Sequence, residues 1–165
     1  VANSEVVTMK LLSGELSVGG YMAGMEMKDF TLYKENESKG NYRVFPYQSL
    51  YTEVVFSFNQ AHPDSVIKEI LQDVRFRRAI SLAINRDEIN QFLMGGTGTP
   101  TQATVHPTCS FFKEEWAEAY ATYNPEEANR LLDEMGLERG PDGFRLRPDR
   151  KRLELNLNVY DQDVI

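Results

Sequence analysis

The chain has 165 residues, a formal net charge of −7 and a single cysteine, Cys109. That charge excludes nucleic acid and anionic membrane surfaces as partners, because both select clustered Lys and Arg, and one cysteine excludes an intrachain disulfide. With 41% hydrophobic and 11% aromatic residues the composition supports a packed core, the length suits one domain without internal repeats, and no apolar run approaches the roughly 20 residues that cross a bilayer. The opening VANSE has no basic start followed by an apolar stretch, so an export signal is expected outside these residues.

Val6 to Leu12 (VVTMKLL) is short and apolar, and the spacing of Val7, Leu11 and Leu12 predicts a helix ending at Gly14, with Glu15 exposed beyond it. Met25 to Lys34 predicts a second helix with Met27, Phe30 and Leu32 or Tyr33 inward, and the polar run from Asn36 to Asn41 marks its exit. Met22, Met25 and Met27 suit an adaptable ligand surface or, more commonly, irregular core space. Tyr42 to Tyr47 and Glu53 to Asn59 predict two strands. In the second, Val54, Phe56 and Phe58 alternate with polar or smaller residues and share one sheet face; Pro46 makes the first an edge strand or one that ends early. Tyr47 and Tyr51, in the turn between them, either line a cleft or pack at the end of the sheet.

His62 precedes Pro63 in a turn and is expected to be exposed, and Val66, Ile67, Ile70 and Leu71 predict a short helix. The stretch Asp73 to Leu93 (DVRFRRAISLAINRDEINQFL) organises the chain as two consecutive amphipathic helices. Asp73 is placed to cap the first, whose inward stripe is Val74, Phe76, Ala79, Ile80 and Ala83. Arg75, Arg77 and Arg78 form its solvated face, with Asp87 and Glu88 as partners. Asn85 and Glu88 have capping-box spacing for the second helix, which buries Ile89, Phe92 and Leu93 and ends at Gly95 and Gly96.

Gly95 to Ser110 (GGTGTPTQATVHPTCS) is a loop, and loops of this length are often functional. It is no phosphate loop, having no Lys-Ser or Lys-Thr pair and following a helix rather than a strand. His106 and Cys109 raise a thiolate and imidazole pair, but no third group to orient the imidazole is legible. Two separated histidines and one cysteine make no metal site, and no carboxylates are marked as an acid and base pair, so no catalytic residue, metal or cofactor is expected. Phe111, Phe112, Trp116 and Tyr120 follow. Trp116 and Tyr120, four apart, are expected on one helix face, packed on the domain or gripping a ligand. Asn124-Pro125-Glu126-Glu127 starts a well-marked helix with Ala128, Leu131, Leu132 and Met135 inward and Gly136 at its close. Phe144 to Arg147 and Leu153 to Val159 predict a hairpin joined by Pro148 to Lys151.

Two blocks in order, EVVFSFN with DVRFRRAISLAINRDEI and GGTGTP, then YNPEEANRLLDEMGL with GPDGF and RPDRKRLEL, resemble the extracellular solute-binding protein family 5, the peptide- and oligosaccharide-binding receptors of bacterial ABC importers. The resemblance implies a mixed α/β fragment of the C-terminal lobe of a two-lobed periplasmic-binding-protein-like fold. It makes residues 1–165 a single partial domain from the middle of a longer protein. It implies a peptide or oligosaccharide ligand, a membrane permease partner and a periplasmic or extracellular location. It carries no ligand motif onto a given residue; Tyr51, Phe111 and Trp116 are candidates from chemistry and loop position alone. Family members commonly have glycine where this chain has Arg150, so arginine at a left-handed turn position would cost on the order of 1 kcal/mol. A partial lobe would expose apolar surface and self-associate through it. A non-transport interaction module on the same fold, and an enzyme built on His106 and Cys109, are the alternatives.

Overall fold

A computed structural model describes residues 3–20, 25, 29–46 and 55–158. The described residues form eight helices: α1 Ser4–Leu12, α2 Phe30–Glu35, α3 Glu37–Gly40, α4 Ser65–Gln72, α5 Val74–Ala83, α6 Arg86–Met94, α7 Glu114–Glu118 and α8 Pro125–Glu134. The chain divides into two compact units, one of Val1–Val55 with Asn85–Ala119, the other of Phe56–Ile84 with Tyr120–Ile165. The expectations for Met22, Met27, Tyr47, Tyr51, Val54 and Val159 lie outside the described residues.

In the first unit the Asn3 side chain accepts the Glu5 N–H at 2.8 Å to start α1, and Val7 and Leu11 are buried. Gly14, left-handed at φ +76°, follows its end as the sequence predicts. Helix α2 is described from Phe30, Asp29 supplies no side-chain cap, and Met25 lies outside any helix, while residues 26–28 of the predicted helix are outside the described residues. Its buried residue is Tyr33, whose hydroxyl lies 2.9 Å from Thr8 Oγ1 and whose carbonyl accepts from Tyr42 Oη at 2.8 Å. The polar run beyond it marks its exit at Asn36, as expected, and then forms the short helix α3. Glu37 takes the Lys34 ammonium at 2.8 Å and the Val44 N–H at 2.6 Å, and these two, the ammonium foremost, hold its carboxyl below the usual range.

Neither predicted strand of the first half joins a ladder over its described residues, 42–46 and 55–59. Without a neighbouring strand, burial follows local contacts. Phe58 packs edge-on against Phe76 with ring centroids 6.0 Å apart, while Phe56, expected on the same face, is exposed.

The second unit holds the larger core. Ile67, Ile70 and Leu71 of α4 meet Phe76 of α5 and the wholly buried Leu137, with Leu132, Met135 and Leu153 around them. Where α5 packs on α8, Ala79 and Leu82 meet Ala128 and Leu131, and the alanines allow the helices to approach closely. Asp64 caps α4, Asp73 caps α5 through the Arg75 N–H at 2.8 Å, and Asn124 caps α8 through the Glu127 N–H at 3.0 Å.

The inward stripe of α5 is rotated from its predicted position. Val74 and Ala83 are exposed, whereas Ser81 and Leu82 are buried and the Ser81 hydroxyl donates to Tyr120 O at 2.8 Å. Its arginines are half-buried rather than solvated, and their partners are not Asp87 and Glu88. Arg77 donates to the carbonyls of Leu71 and Gln72, both at 2.8 Å, satisfying the end of α4. Arg75 pairs with Asp73 at 2.6 Å and reaches Glu134 O, and Arg78 stacks 4.6 Å over the Tyr120 ring.

The predicted hairpin is reduced to short antiparallel bridges, Arg139 with Arg145 and Leu146 with Arg152. The α/β mixture therefore rests, among the described residues, on helices with isolated bridges rather than on an extended sheet. Arg145 ties this corner to α8, with its guanidinium on Asp133, on Leu137 O and on Asn129 Oδ1. Arg150 sits at φ +66°, so the turn does take the left-handed conformation there.

Candidate functional site

Two surfaces, one in each unit, gather the chemistry. The first is the segment from α6 to α7. Asn85 Oδ1 accepts the Glu88 N–H at 3.2 Å and its amide donates to Glu88 Oε2 at 3.1 Å, a side-chain form of the predicted capping box. The predicted buried face is absent: Ile89 is half-buried, Leu93 is exposed, and Phe92 is 79% exposed. Helix α6 is held by polar contacts instead. The Asn90 amide clasps Gly98 in both directions, accepting its N–H at 2.8 Å and donating to its carbonyl at 3.1 Å. Arg86 Nε donates to Thr101 O at 3.2 Å, and burial pushes its guanidinium below its ordinary pKa.

The loop that follows is pinned to α7, with Gln102 N on Ala117 O at 2.7 Å and Gln102 Nε2 on Ala119 O at 3.1 Å. It carries Phe111, 62% exposed, and leads into Trp116, 42% exposed, with the Lys113 ammonium 5.4 Å from the indole centroid. A loop tied to α7, with an exposed Phe111 and a half-exposed Trp116 bearing a cation over its ring, is suited to apolar or π contact with a ligand. Trp116 and Tyr120 do not share a helix face. Helix α7 stops at Glu118, Tyr120 turns to φ +55°, and its ring belongs to the second unit.

The imidazole of His106 is engaged by Thr108. Nδ1 accepts the Thr108 N–H at 3.3 Å and lies 2.7 Å from the Thr108 hydroxyl. The other ring nitrogen, Nε2, is buried with no hydrogen-bond partner among the described residues. Cys109 meets His106 through the backbone, its N–H donating to His106 O at 2.9 Å. No group of three or more His, Cys, Asp or Glu among the described residues is placed to hold a metal, and no described helix is long and apolar enough to cross a membrane.

The second surface is an open cleft of about 400 Å³ in the second unit, lined by His62, Asp64, Arg147, Lys151, Glu154 and Asn156 among others. Asp64 is its pivot. One carboxylate oxygen accepts the N–H groups of Val66 at 2.9 Å and Ile67 at 3.1 Å, and the other takes Arg147 at 2.9 Å. These bonds, the Ile67 N–H foremost, hold its carboxyl below the usual range. Arg147 also pairs with Asp149 at 2.9 Å, so its charge is answered twice. His62 is half-buried rather than exposed, its Nδ1 accepting the Asp64 N–H at 3.1 Å. An adjoining depression of about 550 Å³ is shared by Asn59, His62 and Pro63 with Asn156, Leu157 and Asn158. Asp64 and Arg147 are paired with each other at the cleft's base, while Lys151 and Glu154 on its rim are exposed and, among the described residues, make only longer ion pairs, at 3.7 Å to Asp149 and Arg152.

Of the sequence candidates, Phe111 and Trp116 lie on one loop and helix of the first unit, and Tyr51 is outside the described residues. The Asp64–Arg147 cleft was not legible in advance. The cap at Asp64 could be read from its position before a helical stripe, but nothing in spacing joins residues 83 apart.

Residues 1–164 match the family model described as bacterial extracellular solute-binding proteins, family 5 middle. Among curated proteins, the chain is 31% identical over 101 residues to a probable ABC transporter-binding protein of Deinococcus radiodurans, covering 61% of this chain and 17% of that protein. It is 37% identical over 76 residues to the dipeptide-binding protein of Escherichia coli strain K12, covering 46% of this chain and 14% of that one. It is 28% identical over 130 residues to the oligopeptide-binding protein OppA of Lactococcus lactis subsp. lactis, covering 74% and 22%. Among solved structures, an oligopeptide-binding protein OppA superposes with a TM-score of 0.71 at 40% identity, over 92% of this chain and 25% of that one. The chain thus spans a quarter or less of the length of these relatives.

Proposed function

Since the chain belongs to the bacterial extracellular solute-binding proteins of family 5, we propose that it is the middle portion of the substrate-binding component of an ABC importer, which captures a peptide outside the cytoplasmic membrane and delivers it to the transporter's permease. The observation that carries this reading is the family match across residues 1–164. A peptide is favoured over an oligosaccharide because relatives at this level of similarity are named for dipeptides and oligopeptides. The mechanism is binding coupled to closure of two lobes, so the ligand shifts a conformational equilibrium without covalent chemistry. Tyr51, Phe111 and Trp116 are the proposed ligand contacts, the last two supported by their exposure, Phe111 on the loop and Trp116 on α7, to which that loop is tied. Self-association of the chain through its exposed apolar side chains belongs to the same proposal.

The test is calorimetric titration of the longer two-lobed protein with peptides of two to five residues and, separately, with oligosaccharides. Peptide binding with oligosaccharides silent is the expected result. Phe111→Ala or Trp116→Ala is expected to weaken it at least fivefold, roughly the loss of 1 kcal/mol. Unchanged affinity in both variants would remove these residues from the contact surface and leave the receptor reading standing; saccharide binding alone would overturn the choice of ligand.

A further inference from the structure

Helix α7 is too short to hold itself. It has five residues, Glu114–Glu118, with no side-chain cap at Lys113, and a helix of that length does not recover the cost of forming its first turn. Its last four carbonyls also have no partner within the helix. Gln102 meets this end twice. Its backbone N–H donates to Ala117 O at 2.7 Å, and its side-chain amide donates to Ala119 O at 3.1 Å, just past the last helical residue. These two bonds close the chain from residue 103 to residue 116 into a loop, and both Phe111 and Trp116 lie inside it. The neck of that loop is rooted in α6 on its other side, where Arg86 Nε donates to Thr101 O at 3.2 Å and the Asn90 amide holds Gly98. Within the loop the backbone is shaped by local turns, with the Cys109 N–H on His106 O at 2.9 Å and the Phe112 N–H on Cys109 O at 3.0 Å.

We propose that Gln102 is a positioning residue of the ligand surface: its bonds at the neck fix the loop that carries Phe111 against the helix that carries Trp116, so that a peptide meets one preformed surface instead of two rings that move separately. This rests on Phe111 and Trp116 being the ligand contacts given under the proposed function. Gln102 acts through them and touches no ligand itself. Its contribution is preorganisation, because a loop closed at its neck has less conformational freedom to lose when the ligand binds. The side-chain bond is the separable part. The N–H bond to Ala117 survives any substitution except proline, so changing the side chain loosens the end of α7 without opening the neck altogether.

The experiment uses the longer two-lobed protein and a short peptide that titrates it. Gln102→Ala removes the side-chain bond, and Gln102→Glu keeps the side chain's length while replacing its donor with a carboxylate that only accepts. Each is expected to weaken peptide binding about fivefold, the fold-change that one hydrogen bond is worth. Each is also expected to speed hydrogen exchange across residues 114–119 while α8 exchanges as before. In a Trp116→Ala background the same substitutions are expected to weaken binding by less than about twofold further, since the group they position is already gone. Faster exchange with unchanged affinity would overturn the positioning role, as would no change in either measurement. A full loss that persists beside Trp116→Ala would make Gln102 a contact in its own right, and faster exchange that spreads to α8 would make it a support of the fold; both results overturn the proposal and leave the receptor reading standing. If no peptide binds the unaltered protein, that reading fails and this proposal fails with it.

Discussion

At the residue scale, Asp64 and Arg150 carry most of what distinguishes the second unit's surface from ordinary polar decoration. Asp64 both caps α4 and holds Arg147, so its removal loses two kinds of interaction at once. Asp64→Ala is expected to lower the denaturation midpoint of this unit, and Asp64→Asn, which keeps an acceptor for the cap, to lower it less. The pH dependence follows from the sign of the shift. The carboxyl's pKa is lower folded than unfolded, so its contribution is fully present above the unfolded value of about 4 and is lost as pH falls through the lower folded value. Melting temperature should therefore drop below about pH 4, with a shallower drop in Asp64→Asn. Arg150 lies left-handed while its guanidinium pairs with Glu138 at 2.6 Å across open solvent. Arg150→Gly and Arg150→Ala both remove that pair and differ in backbone strain, so the glycine variant should be the more stable by about 1 kcal/mol. Equal stability would mean the turn relaxes around any residue.

At the element scale, helices held by apolar packing stand apart from those held by polar contacts. Helix α5 buries Phe76 in the core, while α6 leaves Phe92 almost fully in solvent. Phe76→Ala is expected to cost about 3–5 kcal/mol and Phe92→Ala less than about 0.5, measured by chemical denaturation. Comparable losses would place α6 in a core that the structure does not give it. Caps and helix ends were legible in the sequence because they depend on neighbours a few residues away: Asp73, Asn85, Asn124, Gly14 and Gly95 act as predicted. Strand pairing was not, because alternation at Phe56–Phe58 or Leu153–Leu157 states a preference and only a second strand can realise it. The rotation of the α5 stripe has a similar cause. Ser81 goes inward since the Tyr120 carbonyl is there to receive its hydroxyl, a contact 39 residues away in sequence. For the candidate site, the loop and its aromatics could be found from composition, whereas the Asp64–Arg147 cleft depends on tertiary placement alone.

At the scale of the whole molecule, the organising stretch predicted from sequence holds one of the three places where the chain passes between the two compact units, at Ile84 and Asn85. The two helices, read from sequence as consecutive and amphipathic, therefore serve different bodies, α5 in a packed core and α6 beside a pinned loop. Membership of the solute-binding family gives that division a purpose under the proposed function, in which a stable core supports segments that meet a ligand. The most direct test is a thermal-shift comparison of the longer two-lobed protein with short peptides and with oligosaccharides. A ligand that binds only the folded state adds about 2.7 kcal/mol of stability at a hundredfold excess over its dissociation constant. A rise in melting temperature with peptides, saturating with concentration, is the predicted result; no rise with any peptide or saccharide would contradict the receptor account.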